Sequence, residues 1–219
     1  MNKKLYQAAK NIQSRVFLGG SISQFENGGR NQFIQLLKRG LNPDSSLLDL
    51  GCGCLRGGYW TIQFLNPDCY AGIEPNREML ACGKKEIVGQ DIINKKRPVF
   101  DHNDRFNMSV FSGRSFDFVM AGSIWTHSPK WMINKMLQQF VKCKTPDGIM
   151  LASFIRTHRA DRDYTGKNWV GKSHRSNHPG LVMHRLESLQ EIADSYRLSI
   201  THPTPDRIES PSWAVISAK

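Results

Sequence analysis

The chain has 219 residues, of which 39% are hydrophobic and 10% aromatic, and carries a formal net charge of +11. That composition supports one domain with a full core, is short for two, and excludes a disordered chain. No apolar run approaches the roughly eighteen residues needed to span a bilayer, and the opening residues lack a secretory apolar block. The cysteines (Cys52, Cys54, Cys69, Cys82 and Cys143) include no C-x-x-C pair. Neither a disulfide framework nor a metal site is therefore expected, and the expected location is the reduced cytoplasm.

Residues 3–17 place Leu5, Ala8, Ala9, Ile12, Val16 and Phe17 at helical spacing, which predicts an amphipathic helix. We read residues 1–29 as an N-terminal arm serving as a lid, with a membrane-surface helix as the alternative. Gly19, Gly20, Gly28 and Gly29 predict a loop, followed by a helix over 31–39 that Gly40 ends. The remaining chain, 30–219, reads as one domain. Strand 47–50, helix 57–65, strand 69–74 and helix 77–88 come first. A short strand near 98–101, strand 116–121, helix 129–142 and strand 148–154 follow. Helix 184–196 and strands at 198–203 and 212–217 close the chain. Such alternation predicts a mostly parallel sheet with helices on both faces. Residues 157–180 show no periodicity, and a loop of that length inside a domain is usually functional.

The most informative segment is Leu47 to Gly58. A buried strand ends in Asp49 and a glycine turn, with Gly51, Gly53 and Gly57 spaced G-x-G-x-x-x-G. Glycine there takes positive φ and removes side chains that would block a ligand, and the helix that follows offers unpaired N–H groups. The spacing departs from the G-x-G-x-x-G of dinucleotide binders, and a carboxylate at position 49 would repel a pyrophosphate. About twenty residues on, Tyr70 to Asn76 forms a second strand ending in Glu74, placed to accept from ribose hydroxyls. An acid for an amino group beside an acid for a ribose describes S-adenosylmethionine.

These segments resemble motif I and the following acidic motif of the class I S-adenosylmethionine-dependent methyltransferases. Ser115 to His127 is similar to the family's fourth strand, and the resemblance runs over roughly residues 30–155. It implies an α/β fold: a Rossmann-like, seven-stranded, mostly parallel sheet with an antiparallel last strand lying between the fifth and sixth. It implies S-adenosyl-L-methionine as cofactor, held by Asp49, Gly51, Gly53, Gly57 and Glu74, with Ala121 and Ser123 lining the same site. Asp104 is the residue implied for the adenine amino group, with Asp101 and Asn103 as alternatives. Arg56 is assigned to the methionine carboxylate or the acceptor, unless it is a plain surface arginine.

Methyl transfer is an in-line displacement with a neutral leaving group, so alignment and exclusion of water dominate. An oxygen acceptor also needs a base. His127, just past the fourth strand, is the candidate, although it could instead stack beside the cofactor or bond a loop; Thr126, Trp125 and Trp131 would line the same mouth. Tyr164, Trp169, His174 and His178, in the basic acceptor-side loop at about 156–180, are candidates for acceptor contact. Between Arg156 and Arg185 the only acids are Asp161 and Asp163, against Arg156, Arg159, Arg162, Lys167, Lys172, Arg175 and Arg185. A small acceptor, anionic or sugar-like and methylated on oxygen, is the expected substrate. The charge keeps RNA methylation open as an alternative, although no N/D-P-P-Y/F tetrad or Pro-Cys nucleophile follows the fourth strand. A non-catalytic cofactor binder is the third reading, and oligomeric state is not legible.

Overall fold

Leu47–Leu50 (β1), Tyr70–Ile73 (β2) and Val99–Asp101 (β3) are the parallel strands of the first of two units seen in the computed structural model, Met1–Asp104 and Arg105–Lys219. The structure describes residues 2–171, 180–202 and 211–219. Among them no helix is long and apolar enough to cross a membrane.

In the first unit the strand order is β3-β2-β1, and every residue of β1 and β2 is buried. The register sets Asp49 opposite Gly72 and Ile73 opposite Asp101, so the strand ends that carry acids line up. Five helices surround them: α1 (Lys3–Ile12), α2 (Phe25–Leu37), α3 (Gly58–Phe64), α4 (Arg77–Cys82) and α5 (Gln90–Lys96). The Asn2 side chain caps α1 by accepting from the N–H groups of Lys4 and Leu5 at 3.0 and 3.2 Å. Leu5, Ala9 and Ile12 then pack with Val16, Leu18 and Phe25 against Cys54, Cys82 and Ile87. The arm is thus part of this unit's core.

Two expectations need correction here. Gly28 and Gly29 lie inside α2, not in a loop before it. The reason is close approach: a Cβ on Gly29 would sit 2.2 Å from the Arg56 carbonyl oxygen, and one on Gly28 would sit 2.9 Å from Arg56 Nη1. The expected helix 77–88 is α-helical only through Cys82 and continues as a π-helical segment, Gly83–Val88. Gly83 abuts the Cys54 backbone, where a Cβ would be 2.5 Å away. Helix α5 went unpredicted because it buries only Ile93, too little to show a period.

The second unit contains β4 (Phe116–Ala121), β5 (Lys144–Arg156), β6 (Met183–His184), β7 (Leu198–Thr201), β8 (Pro211–Ala218) and helices α6 (Lys130–Cys143) and α7 (Leu186–Asp194). Strands β4 and β5 are parallel, and β8 runs antiparallel between β5 and β7, as expected for the last strand. β5 begins four residues earlier than the apolar run suggested, because Phe116 pairs with Lys144 across a register shift. β6 was not foreseen: it lies just past the aperiodic stretch, where a helix was expected to start at 184 although α7 begins only at Leu186, and its two residues pair in parallel with Ile155 and Arg156. Helix α6 buries Met132, Ile133, Met136, Leu137 and Phe140 at helical spacing.

In an ordinary helix interior Gly→Ala gains about 1 kcal/mol. Gly29→Ala should instead destabilise the protein by about 1–3 kcal/mol through overpacking against the rigid Arg56 backbone. Urea unfolding of the two proteins checks the sign.

Candidate functional site

The turn after β1 is stitched to the end of β2. The N–H groups of Gly51 and Cys52 both donate to the Ile73 carbonyl, at 2.8 and 3.2 Å, and the Glu74 N–H donates to the Asp101 carbonyl at 3.0 Å. Gly51 and Gly53 have φ of 66° and 58°, the left-handed backbone that the sequence pattern required. Glu74 closes the arrangement: Oε2 accepts from the Gly53 N–H at 3.0 Å and Oε1 from the Asn76 N–H at 2.8 Å. Asn76 in turn caps α4 through its side chain, accepting from the Met79 N–H. Asp49 Oδ2 accepts from the Tyr70 hydroxyl at 2.8 Å.

Both acids are buried, with 9% of Asp49 and 6% of Glu74 exposed. Burial pushes the Asp49 carboxyl up to about 7; the Tyr70 hydroxyl and Arg56 oppose that rise, while the negative charge of Glu74 adds to it. Burial also raises Glu74, against the backbone N–H groups of Asn76 and Gly53 and the nearby His102. Each carboxylate keeps acceptor capacity, since two oxygens offer about four lone-pair sites. A buried, mutually repelling pair of this kind calls for a ligand bringing positive charge to one acid and hydroxyl donors to the other. The ammonium and ribose diol of S-adenosylmethionine meet that requirement, so the residues present fit the group.

The other sequence-predicted cofactor residues are distributed as follows. Arg56 Nη1 donates to the Gly19 carbonyl at 3.0 Å, and its guanidinium lies against Gly19, Gly20 and Gly28. Gly57 is buried, and its missing Cβ makes room for Gln32, whose Oε1 would lie 2.2 Å from it. Asp104 is exposed, while Asp101 Oδ1 is engaged by the backbone and side-chain N–H groups of Asn103. Ala121 is the buried last residue of β4. Ser123 is exposed with φ of 60°, and its N–H donates to Ser153 Oγ. Among the described residues no group of three or more His, Cys, Asp or Glu could hold a metal ion.

In the second unit His127 is gripped from three sides. Its Nδ1 lies 3.1 Å from the Gly180 carbonyl, its ring is 5.5 Å from that of Trp169 at 32°, and its own carbonyl accepts from the Val170 N–H. Gly171 must lack a side chain, since a Cβ would fall 2.4 Å from His127 Nδ1. A carbonyl only accepts, so Nδ1 carries the proton and Nε2 is left as the basic nitrogen. Burial draws the His127 pKa below its ordinary 6.5, opposed by the Gly180 carbonyl bond. Thr126 and Trp125 are buried, and Trp131 is exposed, with its indole N–H donating to the Lys167 carbonyl.

The loop that carries Tyr164 and Trp169 is anchored by Asp163, which sequence reasoning did not single out. Its Oδ2 accepts from Lys130 Nζ at 2.6 Å and Ser188 Oγ at 2.7 Å, and its Oδ1 accepts from the Arg185 N–H at 3.1 Å. Burial raises the Asp163 carboxyl, but these donors outweigh it and hold the pKa below the usual carboxylate value. Tyr164 donates its hydroxyl to the Asn168 carbonyl. His174 and His178 lie outside the described residues.

No protein-family profile and no curated protein sequence matches the chain. Solved structures do. A magnesium protoporphyrin IX methyltransferase from Synechocystis, with bound S-adenosylmethionine, superposes with a TM-score of 0.62 at 13% identity, over 99% of this chain and 95% of that one. The fold is that of the S-adenosylmethionine-dependent methyltransferases. A glycopeptide N-methyltransferase superposes with a TM-score of 0.62 at 12% identity, over 88% of this chain and 90% of the other. A sugar N-methyltransferase from Streptoalloteichus gives 0.61 at 14% identity, over 98% and 92%.

In this methyltransferase fold the raised pKa of Asp49 predicts a stability profile. From its unfolded value near 3.9 up to about 7, the native state holds a proton that the unfolded chain has lost. Stability should therefore fall by on the order of a few kcal/mol as pH rises through that window, and level off above it. Asp49→Asn should remove the decline and unfold at higher urea than the parent at pH 8; denaturation curves across pH read it.

Proposed function

We propose that the protein is an S-adenosylmethionine-dependent methyltransferase that methylates oxygen on a small acceptor, with His127 as general base. The observation that carries the reading is the buried pair Asp49 and Glu74, tied together through the Gly53 turn on a methyltransferase fold. When bound, the cofactor supplies an electrophilic methyl group on a sulfonium. Asp49 holds the ammonium, and Glu74 accepts from the ribose hydroxyls through lone pairs that Gly53 and Asn76 leave open. The arm 1–29 covers this side as a fixed lid, held by Leu5, Ala9 and Ile12. Residues 30–219 form the catalytic domain.

His127 Nε2 takes the proton from the acceptor hydroxyl as its oxygen attacks. The Gly180 carbonyl fixes the tautomer this requires, and Trp169 and Gly171 keep the ring from turning. Because burial lowers its pKa, the imidazole is neutral and ready at pH 7. Tyr164 and Trp169 serve the acceptor side, as do His174 and His178, and an anionic acceptor suits the basic surroundings. The cysteine usage suits a cytoplasmic location.

Glu74→Ala should weaken S-adenosylhomocysteine binding at least tenfold, by the loss of about 1.5–3 kcal/mol of charge-assisted hydrogen bonding; calorimetry measures it. Unchanged affinity contradicts the ribose role. His127→Ala should lower kcat by about 10²–10⁴ while cofactor affinity holds. With the protein saturated in cofactor, kcat/KM for the acceptor should fall as pH drops below 6.5, where the ring takes up a proton, and the variant should lose that acid limb. Label transfer from methyl-tritiated cofactor into lysate metabolites and RNA finds the acceptor.

A further inference from the structure

Tyr70 is buried on β2, with 2% of its surface exposed. Packing alone gives its hydroxyl no purpose, because phenylalanine would fill the same space without a polar group to satisfy. That hydroxyl donates to Asp49 Oδ2 at 2.8 Å. Among the described residues no other hydrogen bond reaches the carboxylate, so Oδ1 keeps its lone pairs for a ligand.

The fold fixes this pair from several directions. The parallel register sets Gly72 opposite Asp49 and Tyr70 opposite Leu47, and side chains two apart share a face of the sheet. The absent side chain at Gly72 admits Cys52 Sγ and the Phe100 ring, each 2.9 Å from where a Cβ would stand. Phe100 lies beside the Tyr70 ring at 5.9 Å between centroids, and a Cβ on Gly58 would be 3.3 Å from the hydroxyl oxygen. The hydroxyl therefore has a defined place, and Asp49 is the acceptor within its reach.

We infer that Tyr70 is a positioning residue for the cofactor: its hydroxyl keeps Asp49 an oriented anion, with Oδ1 left to receive the ammonium. A hydrogen bond donated to a carboxylate favours the charged form, and burial at this strand end works against it. Glu74, at the end of β2, also repels the charge, and Arg56, in the turn after β1, favours it less than Tyr70 does. Cys52, in the same turn, and Tyr70 itself are pushed well above their ordinary values by burial and then by the Asp49 charge, so both stay protonated near neutrality. Without the hydroxyl, Asp49 would hold its proton to higher pH and present a neutral acid to the ammonium. Naming the ligand rests on the function proposed above; control of the Asp49 charge by Tyr70 does not.

The test is calorimetric titration of the parent and Tyr70→Phe with S-adenosylhomocysteine, from about pH 6 to about pH 8.5. The variant should bind about tenfold more weakly at the acid end, the equivalent of about one pH unit on the carboxyl, and within about twofold of the parent at the alkaline end. The ratio of the two affinities cancels the titration of the ligand and of groups common to both proteins. A purely structural loss gives one ratio at every pH, and that result, or no loss at all, overturns the inference. Placing 3-fluorotyrosine at position 70 keeps the shape and strengthens the donor. That protein should bind more tightly than the parent at the acid end only, and affinity no tighter there also overturns the inference. Urea unfolding without ligand reads the same contact: the decline in stability that ends near pH 7 in the parent should run about one pH unit further in Tyr70→Phe. If the parent binds no S-adenosylhomocysteine at any pH, the methyltransferase reading falls; a lengthened decline then upholds the grip of Tyr70 on Asp49, and an unmoved one overturns it.

Discussion

The hydrogen bond from the Gly53 N–H to Glu74 is the tie on which the arrangement of the first unit's strand ends depends. It fastens the turn after β1 to the end of β2, and it does so with a charged acceptor already out of water. Glu74 is thereby held by two backbone donors before any ligand arrives, and Asp49 by one hydroxyl. Two acids held this way are costly to the fold, and that cost is the physical ground for the binding role proposed for them. Bland packing would have put apolar side chains at the ends of two fully buried strands.

The second unit meets a different constraint: the polar stretch that follows β5 must be fastened to the helices beside it. One carboxylate does most of it. Asp163 gathers Lys130 from α6 together with the Arg185 N–H and the Ser188 hydroxyl at the start of α7, so two separate stretches converge on its two oxygens. His184, fully buried next to it, donates from Nε2 to the Ser128 carbonyl, and burial brings its pKa down to about 4, so it is neutral in the folded protein. The result is a firm base beneath Tyr164 and Trp169, and through Trp169 a firm wall for His127.

Much of this was legible in the chain. Strands β1, β2 and β4 announced themselves as short apolar runs, and the glycine spacing after β1 carried both the turn geometry and the acid pair. The antiparallel last strand came with the family resemblance. What escaped had physical causes. Gly28 and Gly29 read as loop punctuation because sequence shows a missing side chain but not the Arg56 backbone that needs the space. β6 is two residues long and shows no alternation. Tyr70 as the partner of Asp49, and Asp163 as the anchor of the acceptor-side loop, are long-range pairings across 21 and, for Ser188, 25 residues. A period or a motif does not encode such contacts. A tyrosine two positions before Gly72 on the neighbouring strand was the available hint for the first.

The twin glycines of α2 have a consequence for where the chain opens. Two adjacent residues without side chains leave the first turns of that helix with little intrinsic tendency to form alone. Its amino-terminal half gains its shape from contact with Arg56, whose guanidinium also holds the Gly19 carbonyl. Segment 19–29 therefore takes its shape against the loop after β1 rather than from its own helical tendency. Its amides should exchange with solvent more readily than those of β1 and β2, opening as a local unit while the sheet beneath stays closed.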